Sequence, residues 1–356
     1  MPFMRRAANF IAIFLLSSAC APRAYHHMNE IDALMQRYDG AVPSASVLVV
    51  ENGKAVVRRS YGFADLGNNV RATPATNYRL ASVTKQFTAA SILLLAQDGN
   101  LSLDDRVKKW LPSLPAALDS VTLTHFLTHT SGIVDYEDVM PDDTKTQVHD
   151  ADVLRLLESQ DSTYFKPGTS YKYSNSAYAL LALIVQKASG KSFATFLHDR
   201  IFAPLDMTNT VAFENGISTV ANRAYGYTNK DSSWVQKDQS STSAVLGDGG
   251  IYSSIDDMAR WDAALYDSRL LSDESRKLAF TPHTKTNEAN VEYGFGWQIT
   301  GETLWHTGET SGFRNVIVRY PARHLTIVIL SNRDGPVPHQ TALSIAKLFT
   351  GAARTH

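Results

Sequence analysis

The run Ser82-Val83-Thr84-Lys85 sets a hydroxyl and an amine three residues apart. If Ser82 opens a helix, Lys85 lies one turn on and shares its face, so the two groups can approach each other. An amine that local fields keep neutral can accept the serine proton and leave an activated nucleophile. An isolated match of this kind is better explained as a helix N-cap with a solvated lysine. The same spacing recurs at Ser344-Ile345-Ala346-Lys347 on an ordinary C-terminal helix.

Two further clusters could serve such a pair. Tyr173-Ser174-Asn175 stands in a loop before a helix; a phenol near a lysine relays protons, and an amide orients both lysine and substrate. Tyr227-Thr228-Asn229 repeats the pattern and reads as a packed aromatic. His306-Thr307-Gly308 lies between strand-like segments, where a strand edge offers N–H groups to a carbonyl and glycine lets a substrate come close. Rival chemistries lack their residues. No Gly-x-Ser-x-Gly elbow occurs. His125 and His129 have no acid between them of the zinc-protease kind, and they read as a structural turn. No glycine loop for phosphate is present.

The elements around these clusters suggest one architecture. Asn29 to Tyr38 has helical spacing at Ile31, Leu34 and Met35. Strand-like runs at 45–50 and 55–60 flank Asn52-Gly53, a hairpin signal. From about 81 to 285 the pattern is largely helical, with Gly99 and Gly190 suited to end the helices 83–97 and 176–188. Strand character returns at 293–300, 313–320 and 325–330, and a helix from about His339 to Phe349 closes the chain. Strands at both ends with helices between predict an α/β fold of the α+β type. One antiparallel sheet is assembled from both chain ends and flanked by helices, with a mainly helical subdomain inserted.

The chain has 356 residues, 44% of them hydrophobic, which is enough for a sizeable core. Lys plus Arg total 34 against 35 for Asp plus Glu, with no basic run, so nucleic acid is not an expected partner. Met1–Ala19 reads as a signal peptide: Arg5 and Arg6, then an apolar stretch too short to span a bilayer of about 30 Å, then small residues. Cys20, the single cysteine, follows Leu16-Ser17-Ser18-Ala19 as in a bacterial lipobox, departing from that pattern at Ser17. Lipidation at Cys20 would anchor the chain to a membrane; without it the chain is secreted. Residues 20–28 then form a tether. A single domain follows at 29–352, with its sheet region at about 29–80 and 286–352 and its helical region at about 81–285.

Order ties the clusters together. The stretch Leu80-Ala81-Ser82-Val83-Thr84-Lys85 precedes Leu127-Thr128-His129-Thr130-Ser131-Gly132. Then come Pro167-Gly168 with Tyr173-Ser174-Asn175, Gly249-Gly250-Ile251-Tyr252-Ser253, and finally His306-Thr307-Gly308. This succession resembles the β-lactamase-related serine hydrolases over roughly residues 30–350. That superfamily includes D-alanyl-D-alanine carboxypeptidases, D-aminopeptidases, class C β-lactamases and esterases, on a β-lactamase/transpeptidase-like fold.

The resemblance implies that Ser82 forms an acyl-enzyme, that Lys85 and Tyr173 share the proton traffic, and that Asn175 positions Lys85 and the substrate amide. His306, Thr307 and Gly308 would border the substrate, and the backbone N–H groups of Ser82 and Glu309 would hold the oxyanion. Losing one such donor costs on the order of 10²–10³-fold in rate. No cofactor or metal is expected, and the partner is a small-molecule or peptide substrate.

Class C β-lactamases usually carry lysine where His306 stands. Imidazole, with an ordinary pKa of about 6.5, supplies less positive charge at neutral pH, which weakens the case for a dedicated β-lactamase. His306 would act either as a cation supporting a carboxylate or, preferably, as a neutral hydrogen-bond partner of Tyr173. Glu309 replaces a small residue; facing the cleft it would repel anions, and facing away it would be neutral to function. The expected activity is carboxypeptidase or D-aminopeptidase chemistry on peptide-like amides or esters in the periplasm or cell envelope. An esterase ranks second and a weak β-lactamase third; a non-catalytic, penicillin-binding-like sensor is the alternative from another class.

Overall fold

The computed structural model describes residues 27–351; the expected signal segment, Cys20 and most of the tether lie outside the described residues. Helix α1 (Met28–Met35) leads into strands β1 (Ala45–Glu51) and β2 (Lys54–Tyr61). Their turn places Asn52 and Gly53 at φ of 51° and 74°, the left-handed pair that a two-residue hairpin of matching twist requires. The remaining strands of the main sheet come late. They are β3 (Thr284–Lys285), β4 (Glu292–Tyr293), β5 (Gln298–Thr300), β6 (Thr303–Thr310), β7 (Phe313–Tyr320) and β8 (Leu325–Ser331).

The eight strands lie in the order β3-β4-β5-β6-β7-β8-β1-β2, antiparallel throughout. β8 pairs with β1 from Ala45↔Ser331 to Glu51↔Leu325, so the sheet is closed by the two ends of the chain.

The apolar run Val47–Val50 of β1 reflects burial on both faces. Leu48 and Val50 join the core beneath the helical region, while Ala45, Val47 and Val49 join a second core with Ile31 of α1 and Ile345 of the C-terminal helix. The helix α2 (Lys85–Gln97) is buried from Lys85 to Leu95 on every side, as its lack of a polar stripe demands. Beside it runs α3 (Asn175–Ser189), capped by Ser174 at one end and by Gly190 at φ 70° at the other. The C-terminal helix, α4, spans His339–Thr350.

Two expectations need correction. The segment 81–285 also contains strands: Ile251–Ser253 and Val211–Ala212 form a small sheet with Tyr78–Arg79, and Tyr227–Lys230 pairs with Ser233–Gln236. Strands of two to four residues leave no readable alternation. The expected single strand over 293–300 is two short strands, β4 and β5, folded back through Gly294-Phe295-Gly296-Trp297. Gly294 N–H donates to the Trp297 carbonyl at 2.8 Å, and Gly296 sits at φ 77°.

Candidate active site

Ser82 does not open the long helix. It sits in a 3₁₀ turn, Ala81–Thr84, and α2 begins at Lys85. Ala81 has φ 50°, a left-handed conformation costly for a residue with a Cβ. The backbone doubles back there and leaves Ser82 half-buried between buried neighbours.

The turn is clamped from several sides. Leu80 N–H donates to the Ile251 carbonyl at 2.8 Å, Ile251 N–H to Thr84 Oγ1 at 3.3 Å, and Asn315 Nδ2 to the Arg79 carbonyl at 2.8 Å. The Leu80 carbonyl lies against Gly308 so closely that a Cβ on residue 308 would overlap it and come within 3.2 Å of Val83 N. Sequence alone gives that glycine the task of admitting substrate; in the structure it admits the nucleophile turn.

Lys85 is fully buried. Its Nζ lies 3.1 Å from Ser82 Oγ, 2.8 Å from Asn175 Oδ1 and 3.0 Å from the Asp248 backbone carbonyl. The two carbonyl oxygens only accept, so each holds one amine hydrogen. The remaining direction, toward Ser82, carries a proton or a lone pair. Burial draws the Lys85 pKa down to about 8, outweighing the carboxylates of Asp248, Asp135 and Glu137 that raise it. A neutral amine in this cage aims its lone pair at the Ser82 hydroxyl.

Asn175 is itself fixed. Its N–H donates to Asp135 Oδ2 at 2.8 Å, and Nδ2 donates to Glu137 Oε1 at 3.3 Å, leaving a second amide hydrogen for substrate. The Tyr173 loop is pinned on His129, which sits buried at φ 58°. Lys172 N–H reaches the His129 carbonyl and Ser174 N–H reaches His129 Nδ1, both at 3.0 Å. Because Nδ1 accepts, it carries no proton; burial, Lys85 and His306 hold His129 neutral, well below its ordinary range. Its ring lies 4.4 Å from that of Tyr173, centroid to centroid. The Tyr173 hydroxyl is buried and makes no short hydrogen bond among the described residues, with the Ser82 hydroxyl near it. Burial pushes its pKa well up, an effect the Ser82 hydroxyl partly offsets, so Tyr173 keeps its proton.

His306 is buried in β6, and its partners define its state. Nδ1 lies 2.6 Å from the Thr307 carbonyl, which only accepts, so Nδ1 bears the hydrogen. Nε2 therefore accepts from the Tyr293 hydroxyl at 3.1 Å. Burial, with Lys85 nearby, pulls the His306 pKa down to about 3 against the favourable Thr307 carbonyl. The hydrogen-bond partner of the ring is Tyr293 rather than the expected Tyr173, whose ring stands 6.2 Å away.

The register of β6 fixes its free edge. Two-residue turns join Thr300 to Thr303 and Thr310 to Phe313, so those flanking residues are hydrogen-bonded pairs. Alternation then turns Gly308 and His306 toward β7, and Trp305, Thr307 and Glu309 toward β5. β5 starts at Gln298, opposite Trp305, so the N–H groups of Thr307 and Glu309 face an open edge. The Ser82 N–H is likewise free of its own turn, where the Leu80 carbonyl accepts from Val83. The Glu309 side chain is half-exposed at the cleft and paired with Arg314 at 3.1 Å, so its charge is partly offset.

Ser82, Tyr173, His306, Thr307 and Glu309 border one cleft of about 360 Å³, and Ser82, Asn175 and Glu309 border a smaller one beside it. Ser344 stays on α4 with its lysine exposed, and Tyr227 is held near Leu66 and Asp65, both outside these clefts. Sequence reasoning missed Asp248, whose carboxyl accepts from Tyr136 at 3.2 Å, as well as Asp135, Glu137 and Tyr293. The only signal for Asp248 was its place before Gly249-Gly250. Among the described residues no cluster of His, Cys, Asp or Glu is arranged to hold a metal, and no helix is long and apolar enough to cross a membrane.

A family model described as Beta-lactamase matches residues 29–351, and the chain belongs to that family. It is 32% identical to Penicillin-binding protein 4* of Bacillus subtilis (strain 168) over 319 residues, 84% of this chain and 70% of that protein. It is 30% identical to Protein flp of Staphylococcus aureus (strain MRSA252) over 318 residues, 85% of this chain and 62% of that longer protein. The fold superimposes on the octameric penicillin-binding protein homologue from Pyrococcus abyssi with a TM-score of 0.79 at 26% identity, over 92% of this chain and 77% of that one. A penicillin binding protein from Bacillus halodurans gives 0.77 at 26% identity, over 89% and 99%.

Proposed function

We propose that the chain is a serine hydrolase that forms an acyl-enzyme on Ser82 and acts on peptide-like amides or esters. The observation that carries this reading is the 3.1 Å approach of Lys85 Nζ to Ser82 Oγ, with the amine's other contacts both carbonyl acceptors. Neutral Lys85 takes the hydroxyl proton as Ser82 Oγ bonds to the substrate carbonyl carbon. The oxyanion forms against the free N–H groups of Ser82 and Glu309. Tyr173, protonated, gives its proton to the leaving group as the scissile bond breaks, and the Lys85 ammonium restores the phenol. Water then repeats the attack on the acyl ester with the same groups running in reverse.

A fluorophosphonate or fluorescent penicillin probe tests this reading: it should label Ser82, identified by peptide mass spectrometry. An unlabelled, folded protein would overturn it. Turnover of p-nitrophenyl esters, D-amino-acid amides, acyl-D-Ala-D-Ala and nitrocefin then ranks the carboxypeptidase or D-aminopeptidase, esterase and β-lactamase readings. A permanent label without turnover would favour a sensor. Export through Met1–Ala19 and lipid anchoring at Cys20 belong to the proposal on sequence grounds alone.

A further inference from the structure

The larger cleft beside Ser82 has a one-sided charge pattern. Its described lining contains no lysine or arginine. It holds two carboxylates, Glu288 and Glu309, and the charge of Glu288 is close enough to raise the pKa of the Tyr171 phenol on the cleft wall. His306 cannot supply the missing cation while its Nδ1 hydrogen is given to Thr307 and its Nε2 accepts from Tyr293.

The cleft also borders Tyr173, the group assigned to protonate the departing atom, so its occupant is the leaving group. We propose that this cleft is a leaving-group subsite for a group without negative charge, and that Glu288 makes it select against a carboxylate. The inference rests on the acyl-enzyme reading of Ser82. It places carboxypeptidase substrates, whose departing residue carries a free carboxylate, behind esters and amides with neutral or cationic leaving groups.

Aryl acetates test the subsite, because they acylate an active serine whether or not turnover follows. The Ser82 oxygen bonds to the acetyl carbon, the ester C–O bond breaks, and a phenol departs with a proton. Three compounds carrying para-carboxylate, para-carbamoyl or para-aminomethyl groups are compared by acylation rate, each normalised to its alkaline hydrolysis.

The carbamoyl and aminomethyl esters should exceed the carboxylate by about 10-fold, the scale of one close charge contact in a partly wet cleft. Glu288→Gln should raise the carboxylate relative to the carbamoyl ester several-fold. Ratios within one preparation are independent of its folded fraction. A series that is flat or led by the carboxylate, or ratios unmoved by Glu288→Gln, would overturn the subsite while Ser82 acylation left the hydrolase reading standing. Failure of every ester to acylate Ser82 would remove both.

Discussion

Gly308 of β6 and the Leu80 carbonyl are in such close contact that no side chain fits between the strand and the turn that presents Ser82. Strand position and nucleophile position are therefore one variable, and the expected oxyanion donors at 82 and 309 stand on its two sides. Gly308→Ala should push the turn off the strand. Overpacking of this kind costs about 1–3 kcal/mol, visible as a lower denaturation midpoint. A displacement on the order of 1 Å at the reacting atom costs about 100-fold in rate, so probe labelling of Ser82 should slow by that factor in protein that remains folded. Wild-type labelling in Gly308→Ala would show that the contact is not what sets the nucleophile.

The two Ser-x-x-Lys runs make opposite predictions. Ser82→Ala should abolish covalent labelling and lower turnover by about 10⁴-fold or more, the scale seen when a nucleophile is removed. Ser344→Ala should change neither, since Ser344 lies on α4 beside the exposed Lys347. Intact-mass measurement after probe treatment of both variants decides the assignment.

Much of the site was legible because its parts are local. Asn52-Gly53 specifies its own turn, Gly190 ends its own helix, and Ser82 and Lys85 stand one turn apart whatever surrounds them. What was hidden is non-local. His129 supports the Tyr173 loop across 45 residues, and Lys85 reaches the Asp248 carbonyl across 163. Such contacts follow no period of 2 or 3.6, so no pattern in the chain announces them. β6 escaped for another reason: its sequence, TLWHTGET, mixes polar and glycine positions because one stretch of its edge faces the cleft instead of a neighbouring strand.

The Lys85 cage predicts the pH dependence of acylation. The reactive form is the neutral amine, so kcat/KM should rise with pH along a limb near the Lys85 pKa of about 8. Asp248, Asp135 and Glu137 each raise that pKa, while burial lowers it. Asp248→Asn keeps the backbone carbonyl on Nζ but removes a negative charge, so the limb should move to lower pH. Lys85→Arg should give no acylation at any pH in the working range, because guanidinium stays charged. A limb that stays in place in Asp248→Asn would mean that the titrating group is not Lys85.

His306 makes a prediction about charge that activity and stability report separately. Its Nδ1 hydrogen lies on the Thr307 carbonyl and its Nε2 accepts from Tyr293, so protonation would force the Tyr293 hydroxyl to turn from donor to acceptor and would bury an imidazolium near Lys85. The folded-state pKa is accordingly depressed to about 3, below the ordinary 6.5 of the unfolded chain. For activity, no limb belonging to His306 should appear between about pH 5.5 and 7.5, and matched carboxylate and amide substrates should give parallel profiles there. For stability, the sign follows from which state binds the proton. Above about pH 6.5 neither state is protonated at this position and the contribution is fully present; as pH falls from there toward 3, the unfolded chain takes up a proton that the folded chain refuses. The denaturation midpoint should therefore fall through that window, and His306→Asn should make the fall shallower. His129, buried and also held below its ordinary range, contributes in the same direction and remains in that variant. Tyr293→Phe, which deletes the donor to Nε2, should cost about 1 kcal/mol at pH 7 and much the same at pH 5, which is still well above the folded-state pKa. A midpoint that is flat from pH 7 to 4, or a carboxylate-specific activity limb erased by His306→Lys, would mean that the imidazole is charged in the working enzyme.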